Sequence, residues 1–107
     1  MRNTLDATLD TSADLSADYT GNAQQLDQIT IGSVIAACTG SPVGSLKIQV
    51  SNDKVIWADS DITPKAVGAA GNFFFSIWPA GYEFLRVVYT RTSGTGLMNT
   101  TFRGKRI

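Results

Sequence analysis

Histidine is absent from this chain, and cysteine occurs once. The first absence removes the side chain most used as a general base and as a metal ligand near neutral pH. The second excludes an intrachain disulfide and any zinc site built on a cysteine cluster. Charge is scarce too: Asp, Glu, Lys and Arg make up 17% of 107 residues, against roughly 25% in ordinary globular chains. A surface poor in charge suits a protein held against other proteins, and it equally suits a small β domain rich in Thr, Ser and Gly. No apolar run approaches the roughly 18 residues of a membrane span. Met1-Arg2-Asn3-Thr4-Leu5-Asp6 has no apolar core of a secretion signal. The chain is therefore expected to be made in a cytosol, to leave it only within a larger assembly, and to have no membrane partner.

What is present is mostly alternation with a period of two, the mark of strands with one buried face. Leu46, Ile48 and Val50 alternate with Lys47 and Gln49, and Leu5, Ala7 and Leu9 alternate with polar neighbours. From Leu26 to Thr39 the apolar phase changes, with Ile29 and Ile31 before Gly32-Ser33 and Val34, Ala36 and Cys38 after it. That change predicts a bulge or bend at Gly32-Ser33. Asn72–Trp78 is aromatic, with Phe73, Phe75 and Ile77 set against Phe74 and Trp78; Glu83–Arg91 and Leu97–Gly104 are the last strands. Turn chemistry separates them at Gly40-Ser41-Pro42-Val43-Gly44, Ser51-Asn52-Asp53-Lys54, Pro79-Ala80-Gly81 and Ser93-Gly94-Thr95-Gly96. Seven to eight strands at about ten-residue spacing predict one all-β domain over residues 1–107, a two-sheet antiparallel β-sandwich of jelly-roll type.

Candidate sites are few. Cys38 lies in an apolar run and reads as a buried structural thiol. Asp10, Asp14 and Asp18 recur every four residues but lack the alternating loop that converges oxygens on calcium, so they read as a solvated acidic face. Asp53, Asp59, Asp61 and Glu83 contain carboxylates for a glycosidase pair, with nothing to place two of them in one cleft. Trp57, Trp78, Tyr82 and Tyr89 suggest either a sugar-stacking platform or core aromatics. Both tryptophans read as core, and Tyr82, next to a turn, is the candidate exposed ring. Arg103-Gly104-Lys105-Arg106 is too short a basic stretch, without interleaved aromatics, to indicate nucleic acid. Asn99-Thr100-Thr101 matches a glycosylation sequon by chance. The expectation is no catalytic residue, no cofactor and no metal, hence no enzyme.

The charges are segregated. Residues 1–30 hold five aspartates against Arg2, a balance of −4, and residues 83–107 hold five cations against Glu83, a balance of +4. Two readings stand: an arm steered toward a complementary surface, or first and last strands that neutralise each other. On the first, residues 1–25 form an N-terminal arm that binds a partner through Leu5, Asp6, Leu9, Asp10, Asp14 and Asp18. Removing residues 1–20 would then leave the sandwich folded.

Two resemblances follow from quoted residues. Ser45-Leu46-Lys47-Ile48-Gln49-Val50-Ser51-Asn52-Asp53 followed by Trp57, and Tyr82-Glu83-Phe84-Leu85-Arg86-Val87-Val88-Tyr89, resemble hairpin and strand of discoidin-like sugar-binding sandwiches. Gln25-Leu26-Asp27-Gln28-Ile29, Thr39-Gly40-Ser41-Pro42-Val43-Gly44-Ser45-Leu46, and Ala80-Gly81-Tyr82 running to Tyr89-Thr90-Arg91-Thr92-Ser93-Gly94-Thr95-Gly96 resemble small proteins encoded in tailed-phage genomes. The second resemblance implies a virion protein, a capsid decoration (cement) subunit bound to the major capsid protein or another virion protein and forming a homo-oligomer. The alternative is a carbohydrate-binding, host-attachment module of a head fibre or tail.

Overall fold

The computed structural model describes residues 4–26, 29–77 and 82–105. Ten strands follow one another: β1 (Thr4–Asp14), β2 (Tyr19–Thr20), β3 (Gln24–Gln25), β4 (Ile31–Gly40), β5 (Val43–Ser51), β6 (Ala58–Asp59), β7 (Lys65–Val67), β8 (Gly71–Ile77), β9 (Phe84–Ser93) and β10 (Gly96–Lys105). One antiparallel sheet has the order β1-β10-β4-β8. The other is built on β9 and β5, with β2 and β3 on one side and β6 and β7 on the other. The two-sheet sandwich expected from the alternation is the architecture found.

The core lies between the sheets. Val34, Ala36 and Cys38 of β4, Phe75 and Ile77 of β8, and Met98 and Phe102 of β10 face Leu46 and Ile48 of β5 and Leu85, Val87 and Tyr89 of β9. Each strand contributes alternate residues, as the pleat requires. Burial pushes the Cys38 thiol up, which keeps it protonated and unreactive.

Three expectations need correction. No bulge occurs at Gly32-Ser33, because β4 pairs there in unbroken register, Gly32 opposite Gly104 and Ile77, Ser33 opposite Arg103 and Ser76. The apolar phase changes because Ile29 lies before the strand begins, where it is buried from a loop. Gly32 takes an inward position, and a Cβ on it would stand 2.8 Å from the Phe102 ring. The glycine makes room for an aromatic ring.

Trp57 is not part of the core. Half-buried, it lies beneath the Arg86 guanidinium, 4.0 Å from ring centre to cation, on the outer side of the β9–β5 sheet. Trp78, Asp27, Gln28, Arg106 and the expected turn at Pro79-Ala80-Gly81 lie outside the described residues.

The largest correction concerns residues 1–25. From Thr4 onward they form no arm. β1 pairs with β10 along its length, from Thr4 opposite Lys105 to Asp14 opposite Leu97, and Leu9, Ala13 and Leu15 are core residues. The segregated charges meet inside the fold. Asp6 stands opposite Arg103 with a carboxylate–guanidinium distance of 3.6 Å, and Asp18 accepts a hydrogen bond from the Arg91 backbone N–H at 2.7 Å.

Candidate functional site: the outer face of the β1-β10-β4-β8 sheet

Asp10 was expected in solvent and is 1% exposed. An unbroken alternation over Leu5, Ala7, Leu9, Thr11 and Ala13 would turn Thr11 inward and Asp10 outward. The register instead slips between Thr8 and Asp10 and again between Asp10 and Ala13. Each slip adds a residue to β1 and reverses its facing, so Asp10 enters the sandwich and Ala13 regains the apolar phase. Ser12, within the second slip, has φ +52°, and its N–H donates to Asn99 Oδ1 at 2.8 Å. Inside, the Asp10 carboxylate accepts from Thr100 Oγ1 at 2.6 Å, Tyr19 Oη at 2.7 Å, the Asn22 backbone N–H at 3.1 Å and Asn22 Nδ2 at 3.2 Å. These donors come from β10, β2 and the chain after it, so one side chain ties the first strands to both sheets. Desolvation, then the hydrogen bond to Asp10, pushes the Tyr19 phenol up to about 12. The cluster sets four neutral donors on one carboxylate, and it closes the fold.

Two other aspartates serve turns. Asp14 accepts from the Ser16 N–H at 2.9 Å, which holds its carboxyl below the usual range. Asp53 accepts from the N–H groups of Val55 and Ile56, each at 2.9 Å, closing the β5–β6 loop and lowering its own pKa. Asp59 is lowered by Gln49 and Lys47, its neighbours on β5. Glu83 accepts from Gln25 Nε2 at 2.9 Å. Among the described residues no three of His, Cys, Asp and Glu converge on a point.

The aromatic candidates separate as well. Tyr89 is fully buried, with its hydroxyl unpaired among the described residues, so it offers no platform. Tyr82 is half-buried against the core rather than exposed, and burial raises its phenol pKa. It lines, with Asn52, Asp53 and Ile56, a shallow hollow of about 400 Å³ at the β5–β6 loop.

The two outer faces differ in chemistry. Over β9 and β5 the face is closed by polar contacts: Arg86 donates to Gln49 Oε1 at 2.8 Å, and Asp59 accepts from Gln49 and Lys47. Over the other sheet, register places side chains in rows. Thr8, Thr101, Ile35 and Phe74 form one row; Asp6, Arg103, Ser33 and Ser76 form the next. Ile35 is 42% exposed and Phe74 52%, side by side on β4 and β8. Hollows of about 500 and 420 Å³ flank Arg103, which lines both. An exposed apolar pair thus lies beside the Asp6–Arg103 ion pair on one outer face. The periodicity set Phe74 in the phase opposite Phe73, Phe75 and Ile77, yet only strand order could bring Ile35 beside it.

No family model and no curated protein matches the chain. Among solved structures it is similar to the SPBc2 prophage-derived protein YomS, with TM-score 0.61 and 8% identity over 94% of this chain and 91% of that one. It is also similar to a structure of Bacillus endospore appendages, a family of disulfide-linked pili, with TM-score 0.52 and 14% identity over 100% and 92%. The crystal structure of PirA gives TM-score 0.52 and 14% identity over 97% and 94%. At these identities the likeness is one of fold, and the fold is one that a prophage-derived protein also uses.

Proposed function

We propose that this chain is a structural protein of a bacteriophage particle that acts by binding alone, as a capsid decoration (cement) subunit docked on the major capsid protein. The observation that carries the reading is the exposed Ile35–Phe74 pair, side by side on β4 and β8. Support comes from the fold shared with a prophage-derived protein along nearly the whole chain. Catalysis has no part in this reading, and localisation is the virion. Burial of apolar side chains at many identical contacts adds affinity without any one contact being strong. The test is mass spectrometry of purified particles for copy number, followed by rebinding to shells stripped of the protein. The chain should be present in many copies, and Ile35→Glu should weaken rebinding at least tenfold while leaving the fold intact. Absence from particles, or full occupancy by Ile35→Glu, overturns the reading.

A second reading, a carbohydrate-binding host-attachment module, is favoured by one observation: Tyr82 beside Asn52 and Asp53 in the β5–β6 hollow. It expects glycan-array binding that Tyr82→Ala abolishes, and an array without signal removes it.

A further inference from the structure

A sheet ends in a row of unpaired N–H and C=O groups, and proteins blunt such edges with short strands, bulges, charges or proline. Three of the four edges here are blunted. β1 carries two register slips and the exposed Asp6 and Asp14. The opposite sheet is bordered by strands of two or three residues, with Asp59 in β6 and Lys65 in β7. β8 has none of these devices. Its sequence, Gly71-Asn72-Phe73-Phe74-Phe75-Ser76-Ile77, lacks charge and proline, and it pairs with β4 without a slip from Gly71 to Ile77. No charged residue occurs from Ala66 to Tyr82. Among the described residues, backbone hydrogen bonding of β8 is to β4 alone, so alternate N–H and C=O groups face outward along the other side.

We propose that β8 pairs antiparallel with β8 of a second copy, about a two-fold axis at Phe74, joining two four-stranded sheets into one of eight strands. The strand is complementary to itself in this register. Phe74 meets its own copy on the outer face, next to Ile35, and Asn72 faces Ser76 of the other copy, amide against hydroxyl. On the inner face Phe73 stands opposite Phe75. Aromatic cross-strand pairs stabilise such contacts, and with no charge on either strand no like charges oppose each other. A two-fold contact uses the same edge on both copies and closes. The slipped and short edges elsewhere offer no equally regular partner. One strand pair covers less than the roughly 1,200 Å² of a standard interface, so the dimer is a concentration-dependent one. Phe74 belongs to both this contact and the docking face above, but self-association needs no virus shell, so it is measured apart from the docking reading.

The full chain should pass from monomer to dimer between micromolar and millimolar concentration in sedimentation velocity. Phe74→Lys should weaken the dimer at least tenfold with unchanged circular dichroism and melting temperature. Register is read by crosslinking with oxidised glutathione: Phe74→Cys should give a disulfide-linked dimer, whereas Asn72→Cys, facing residue 76 of the other copy, should not. A monomer at every concentration overturns the proposal. So does a dimer of undiminished strength in Phe74→Lys, or equal crosslinking at positions 72 and 74.

Discussion

Removing the Asp10 carboxylate would leave Thr100, Tyr19 and Asn22 with donors aimed at nothing. Each buried donor stranded in this way costs about 1–3 kcal/mol. Asp10→Ala should therefore lower stability by roughly 2–4 kcal/mol in urea unfolding, and Asp10→Asn, which keeps an acceptor, by less. Tyr89 presents the opposite case. Its ring is fully buried and its hydroxyl has no partner among the described residues. Tyr89→Phe should leave stability unchanged or raise it by about 1 kcal/mol, since the desolvated hydroxyl is removed and the ring packing kept. A loss comparable to that of Asp10→Ala would show that the hydroxyl is bonded in solution. Neither role was legible in the sequence. A lone Asp in a polar stretch looks solvated, and a Tyr in a strand looks like any aromatic. What distinguishes both is the group opposite them, which lies far along the chain.

At the scale of elements, β1 shows where alternation misleads. Leu5, Ala7, Leu9 and Ala13 keep one phase, and a strand was rightly read into Thr4–Leu9. Two slips hidden inside that phase then carry Asp10 inward. The segment read as an arm is an edge strand whose inner residues, Leu9, Ala13 and Leu15, complete the core. Deleting residues 1–20 removes these side chains together with Asp10 and Tyr19, so the truncated chain should fail to fold rather than remain an intact sandwich. Loss of dispersed amide proton shifts would check this; a well-folded truncated protein would restore the arm. β4 gives the converse lesson. Its apolar phase change looked like a bend, whereas the Phe102 ring occupies the space left by Gly32 in a regular strand. Turns were easier to read, because Asp53 and its neighbours close the β5–β6 loop through local hydrogen bonds.

Across the whole molecule the three tyrosines share a direction. Tyr19 is pushed up to about 12, first by desolvation and then by Asp10, and burial raises Tyr82 and Tyr89. A phenol whose folded pKa exceeds its unfolded value of about 10 holds its proton more tightly in the native state. The stability this contributes is complete below about pH 10 and is lost as pH rises toward 12. Tyrosinate absorbance at 295 nm should therefore rise late, together with loss of the fold, and Tyr19→Phe should shift the transition upward. A rise centred at pH 10 in a folded protein would contradict this.

The sequence by itself determined the class of fold, because period-two alternation and turn residues act locally. It also carried the expectation of a protein without histidine or cysteine-cluster chemistry. Tertiary structure decided which residues meet. Pairing of β1 with β10 set Asp6 opposite Arg103 and drew the opposed charges together. Register slips took Asp10 out of water, and strand order put Ile35 beside Phe74 while leaving β8 at an open edge. These are long-range pairings, fixed by how two sheets close over one core, and the spacing of residues along a strand does not contain them.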